Sequence, residues 1–170
     1  MSIETKKLSK DISYIFWRDG YTLATAESCT AGNIAAVITS IPGSSRFYKG
    51  GIVAYTDEVK TNLLGVDPEI IKEHGVVSEE VAIAMVKGAM KALNADCAVA
   101  TTGIAGPGGG THENHVGTIW IAVGLQEKVV TIKLTEDNGR EMNISNATSK
   151  ALQQLLELCE SEEKEEENEN

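Results

Sequence analysis

The chain has 170 residues, 42% of them hydrophobic and only 5% aromatic, with a formal net charge of −10 at pH 7. That length suits one domain with a sizeable core, and the absence of a basic stripe interleaved with aromatics argues against a nucleic-acid partner. No 18-residue apolar stretch occurs, and the opening MSIETKKLSK lacks the apolar run of a leader; a soluble, cytoplasmic protein with no membrane association is expected.

In chain order, Ile3, Leu8, Ile12, Ile15 and Phe16 recur close to helical spacing ahead of Gly20, predicting a helix over 2–19. Residues 21–26 (YTLATA) read as a short buried strand. Thr30 is placed to cap a helix over about 31–40, which Pro42 and Gly43 end. Residues 47–55 (FYKGGIVAY) read as a strand with a Gly pair inside it, and Asp57 as the N-cap of a short helix stopped by Gly65. Ser78, followed by Glu79 and Glu80, opens an Ala-rich helix through Val81, Met85, Met90 and Leu93.

The run 96–101 (DCAVAT) has the small, apolar character of a central strand and feeds directly into TGIAGPGGG. Segments 116–124 and 129–134 read as the strands of an antiparallel hairpin. A last helix over about 140–158 gathers Ile144, Ala147, Ala151, Leu155 and Leu158 on one side. From 157 onward the chain reads ELCESEEKEEENEN, too charged to bury apolar surface, so disorder is expected past about Cys159.

Strands that empty into loops and then helices predict a three-layer α/β/α sandwich, and the hairpin makes its sheet mixed, though mostly parallel. One domain over 1–160 and an acidic tail over 161–170 are expected. Ligands of such sheets collect beyond the carboxyl ends of the strands. Three segments end strands in that way: TAESCTAG, VAYTDEVK and ATTGIAGPGGG.

In the first, Ser28 stands between a strand and a helix start, where free N–H groups can stabilise an oxyanion or hold a phosphate. It is placed to be a nucleophile, or equally a plain N-cap. Cys29 is a rival nucleophile but wants a His partner, and His74, His112 and His115 all fall in loops or helix ends. In the second segment, Lys60 sits in the first turn of its helix, where the dipole and any burial lower its pKa; a neutral lysine can take a serine's proton. A surface lysine beside two acids is the alternative. Tyr55 could relay that proton or orient Lys60. The third segment has glycines enough for close backbone approach to a ligand or an anion nest, yet lacks the Gly-Lys-Ser/Thr of a P-loop. Cys29, Cys97 and Cys159 form no CxxC or Cys/His cluster, so neither metal nor cofactor is expected.

TAESCTAG, SSRFYKGGIVAYTDEVKTNLLGV, the helix after VVSEEVA, and TTGIAGPGGG with VGTIWIAV occur in that order over about residues 4–158. Together they resemble the C-terminal domain of the competence-damage protein CinA, a family whose stand-alone members include nicotinamide-nucleotide amidases. The resemblance implies hydrolysis of nicotinamide mononucleotide to nicotinate mononucleotide and ammonia by a metal-free Ser/Lys mechanism. By motif match it implies Ser28 as nucleophile, Lys60 as general base and Tyr55 as an assisting group. Cys29, Thr30, Thr102 and Gly103 would line the substrate site, Ala31 and Gly32 would donate to the oxyanion, and Arg140 would meet the phosphate. Homodimers or higher homo-oligomers are implied as well. The sequence departs from the family pattern at Ala31, where a second Gly is usual, in the loop THENHVG, and at Asn143 and Ile144, where a second arginine is often found. The family's separate N-terminal domain has no counterpart in this sequence, so that domain's hydrolase activity is not expected.

Overall fold

The computed structural model describes the backbone of residues 2–169 and the side chains of residues 2–162. Strands β1 (Leu23–Glu27), β2 (Tyr48–Val53), β3 (Cys97–Gly103), β4 (Ile119–Leu125) and β5 (Lys128–Leu134) form one sheet in the order β2-β1-β3-β4-β5. β1 pairs in parallel with β2 and β3, while the β3–β4 and β4–β5 pairs are antiparallel. β4 therefore runs against the other four strands. Only Gln126 and Glu127 separate β4 from β5, too few residues for a crossover, so the pair must be a hairpin; Gln126 turns the chain with a φ of 52°.

Helices α1 (Ile3–Asp19), α2 (Asn33–Thr39) and α6 (Arg140–Glu169) cover one face of the sheet, and α3 (Asp57–Leu64), α4 (Pro68–His74) and α5 (Glu79–Leu93) the other. Alternation along β3 feeds both cores. Cys97 and Val99 pack with Phe16, Ile34 and Leu152, whereas Ala98 and Ala100 pack with Val81, Met85 and Val86 of α5. Alanines on that second face let α5 lie close to the sheet, and α3 rests in turn on α5. Among the described residues no helix is long and apolar enough to cross a membrane.

Several boundaries differ from the sequence reading, each for a local reason. α3 is capped by Thr56, whose side chain accepts from the Val59 N–H, because Asp57 is already the first helical residue. α2 begins at Asn33, since Ala31 and Gly32 take φ values of 51° and 91° and cannot belong to a helix. α4 was unforeseen: none of its residues is buried, so no apolar period announces it, although Asp67 and Pro68 form an ordinary helix start. α6 passes the expected end at Leu158 and runs to Glu169. The acidic stretch expected to lose structure contains neither Gly nor Pro and is rich in Glu, a good helix former.

Candidate active site

The three strand ends converge at the carboxyl end of the parallel trio β2, β1 and β3. The Ser28 N–H donates to the Thr101 carbonyl (3.0 Å) and the Ala54 N–H to the Glu27 carbonyl (2.8 Å), so the pairing of β1 with its neighbours extends into the loops. Lys60, on the first turn of α3, is only 1% exposed. Its Nζ lies 2.9 Å from the Ala54 carbonyl and 3.3 Å from Ser28 Oγ, with a hydrogen bond to each. Burial pulls the Lys60 pKa below its ordinary value, opposed by the negative charge of Asp57 and the thiol of Cys29. A buried amine that sheds its proton more readily than a solvated lysine, within reach of a serine hydroxyl, has the geometry to act as a base on that hydroxyl.

Glu27 was not singled out from the sequence, yet it organises the turn that carries Ser28. Its carboxylate is 1% exposed. Oε2 accepts from the Thr30 hydroxyl (2.7 Å) and from the N–H groups of Gly32 and Ile34 (3.0 Å each), and Oε1 from the Ala35 N–H (2.8 Å). Thr30 is thus not the cap of α2. Its hydroxyl donates to Glu27 and also meets the Thr101 hydroxyl at 2.8 Å. The N–H groups expected to serve an oxyanion are committed: Ala31 donates to the Ser28 carbonyl and Gly32 to Glu27. Among the described residues, no carbonyl or carboxylate oxygen takes the N–H of Cys29 or Thr30. A pattern of short-range caps does not reveal this arrangement, because the carboxylate arrives from the preceding strand.

The Cys29 thiol is buried against Thr101 and Glu27, and burial pushes its pKa up to about 12. It therefore stays protonated at neutral pH, which is the wrong state for a nucleophile.

Arg140, at the start of α6, reaches across to the glycine-rich loop. Its guanidinium donates to the Gly106 carbonyl (2.7 Å) and to the Tyr55 hydroxyl (3.1 Å). Asn143, at the position where a second arginine was looked for, supports the same loop from behind. Its amide donates to the Ala105 carbonyl and to Asp137, each at 3.0 Å, and its oxygen accepts from the Asn138 N–H.

A cavity of about 240 Å³ brings together Ser28, Cys29, Tyr55, Gly103, Arg140 and the loop around Gly106 to Gly109. Thr30 and Thr102 are buried outside it; Thr102 donates its hydroxyl to the Val76 carbonyl (2.7 Å) on the α5 side of the sheet. Ala31 is exposed, Gly32 lies against Val53, and neither lines the cavity. A larger cavity, about 450 Å³ between β5 and α6 near Lys133, Asn146 and Lys150, shares no lining residue with it, and Asn143 lines its wall. Among the described residues no cluster of His, Cys, Asp and Glu is grouped to hold a metal ion.

The family profile described as the CinA C-terminal domain matches residues 5–159. Over 137 residues, 81% of this chain, the sequence is 47% identical to a CinA-like protein of Mycolicibacterium gilvum and 44% identical to one of Cytophaga hutchinsonii. The chain spans about a third of the length of these curated relatives (32% and 33%). Among solved structures, the competence/damage inducible protein CihA of Agrobacterium tumefaciens superposes with a TM-score of 0.89 at 37% identity, covering 93% of this chain and 99% of that one. A CinA superfamily protein of Escherichia coli gives 0.89 at 32% identity, covering 93% and 92%.

Proposed function

The chain belongs to the CinA C-terminal domain family, and from that premise we propose that it is a serine amidohydrolase converting nicotinamide mononucleotide to nicotinate mononucleotide and ammonia. The observation that carries this reading is the buried Lys60 amine 3.3 Å from Ser28 Oγ beside an open cavity.

Neutral Lys60 takes the Ser28 proton as Oγ bonds to the carboxamide carbon. The N–H of Cys29, which lines the cavity, rather than those of Ala31 and Gly32, receives the charge that develops on the carbonyl oxygen. Lys60, now an ammonium, gives the proton to the departing ammonia as the C–N bond breaks, leaving an ester on Ser28. Water, deprotonated by Lys60 in turn, cleaves that ester and restores the serine. Arg140 and the glycine-rich loop form the anion seat for the phosphate, and Tyr55, held by Arg140 at the cavity wall, assists from that side. By family resemblance the same reading makes the enzyme a cytoplasmic homodimer or higher homo-oligomer that works without a cofactor.

The test is ammonia release from nicotinamide mononucleotide by wild type and Ser28→Ala, with chelator present. Turnover in wild type alone is the expected result. No turnover in either, with the nucleotide still bound, would replace the amidase by a nucleotide-binding module.

A further inference from the structure

Between Ser28 and Ala35 nearly every N–H has an acceptor inside the protein. Those of Ser28, Ala31 and Asn33 go to main-chain carbonyls, and those of Gly32, Ile34 and Ala35 go to the Glu27 carboxylate. Among the described residues no oxygen accepts from the other two, on Cys29 and Thr30, which directly follow the serine; the Cys29 N–H meets only its own thiol. An ordinary N-cap satisfies one or two N–H groups with a short side chain from the adjoining position. Glu27 instead reaches forward from the end of β1, and its negative charge occupies the positive end of α2. No anion of a substrate can be held there.

We propose that Glu27 is the positioning residue of the nucleophile turn: its carboxylate gathers the start of α2, fixes residues 28–32, and so holds Ser28 and the Cys29 N–H at the cavity for the reacting carbonyl. This rests on the amidase reading above.

Two features of the turn need such an anchor. Ala31 sits at a φ of 51°, a conformation an L-residue keeps only when its surroundings impose it. The hydroxyls form a directed chain as well. The Thr30 proton is spent on Glu27, so the Thr30 oxygen accepts from Thr101. The proton order of this buried chain is set by the charge at its end. In Glu27→Gln the single oxygen must serve the crowded Oε2 or the Oε1 position. The amide nitrogen in the other place meets donors with a donor.

The experiment compares Glu27→Gln with wild type in ammonia release from nicotinamide mononucleotide, with amide hydrogen exchange recorded for both. The expected result is a kcat lowered about tenfold to a hundredfold, as for a displaced oxyanion donor, with KM within about threefold. The pH midpoint set by Lys60 should not move, and faster exchange should be confined to the start of α2. A kcat within twofold of wild type in the folded variant overturns the assignment. A KM that rises while kcat holds does so too, since that pattern belongs to substrate binding. Silence of the wild type refutes the amidase reading and not this one. In that case unchanged exchange at Gly32, Ile34 and Ala35 is the result that overturns it. If Glu27→Gln does not fold, Glu27→Asp, which keeps the charge and loses reach, is judged by the same criteria.

Discussion

Gly88 of α5 and Leu64 of α3 meet through their backbones: a β-carbon built on Gly88 would overlap the Leu64 carbonyl oxygen. The contact falls one turn beyond Lys60 on the same helix, so the spacing of α3 from α5 also sets where the Lys60 amine stands relative to Ser28. Gly88→Ala must push α3 outward. We expect a loss of stability of about 1–3 kcal/mol, typical of overpacking, together with a kcat reduced at least about tenfold through misplacement of the base. Melting temperature and ammonia release check the two effects; a variant that melts lower yet keeps its kcat would show that Lys60 tolerates the shift.

Lys60→Ala should lower kcat by about 10²–10⁴, the usual contribution of a positioned acid–base group. In the wild type, kcat/KM should rise with pH on an ionisation below the ordinary 10.5 of lysine, as the buried amine loses its proton. The stability effect has the same direction. Burial makes the protonated form costlier in the folded chain, so between the lowered value and 10.5 the unfolded chain binds more protons and stability rises with pH. Lys60→Met should flatten that dependence in denaturant titrations at several pH values. A slope identical to wild type would mean that Lys60 titrates normally.

Cys29→Ala should keep activity within a few fold, because the main-chain N–H and not the thiol is used. The native protein should leave Cys29 unlabelled by iodoacetamide at pH 8, where a thiol of pKa about 12 is almost wholly protonated. Mass spectrometry of the labelled peptide, with denatured protein as the positive control, checks this. Rapid native labelling would reinstate the thiol as a candidate nucleophile.

Ala31→Gly removes a side chain from a left-handed position that costs an L-residue about 1–2 kcal/mol. Part of that gain is lost to the greater freedom of Gly in the unfolded chain. The expected net effect is a stabilisation of up to about 1 kcal/mol with activity retained, read from denaturant midpoints. A destabilised variant would show that the methyl group makes a contact worth more than the strain.

Arg140→Gln should act on KM for the mononucleotide, raising it about tenfold or more, the scale of a lost charge-assisted hydrogen bond. For the riboside, which lacks the phosphate, KM should hardly change. Equal effects on both substrates would point instead to the support Arg140 gives the Gly106 carbonyl and Tyr55.

Much of the fold could be read from local pattern. The period of α1 up to Gly20, the Ser78 start of α5, the apolar run of β3 and the antiparallel hairpin all announce themselves, though the hairpin's turn is two residues shorter than its sequence suggests. Ser28 and the glycine-rich loop were legible as ends of strands. The burial of Lys60 was not, since Asp57 and Glu58 beside it suggest a surface helix and only the tertiary fold brings its amine to the Ala54 carbonyl and Ser28 Oγ. Glu27 and Thr102 were misjudged or missed for a related reason. Adjacent strand positions face opposite sides of the sheet, so one residue's step decides between cavity and interior, and strand boundaries are not known to that accuracy from sequence. Asn143 emerged only as a departure from a pattern, while its work is to hold the backbone at Ala105 and Asn138.

Thr102 and Asn114 stand at the two ends of the glycine-rich segment, and their side chains donate to consecutive carbonyls, those of Val76 and Val77. The segment is therefore riveted at both ends to the linker just ahead of α5. Lifting it bodily would strip both half-buried carbonyls of their partners, at about 1–3 kcal/mol apiece where water cannot replace them. Between the rivets, residues 107–113 are all exposed. Within that arc, among the described residues, Thr111 is tied only to its neighbour Asn114, so displacing residues 107–113 costs fewer long-range bonds than displacing the frame around them.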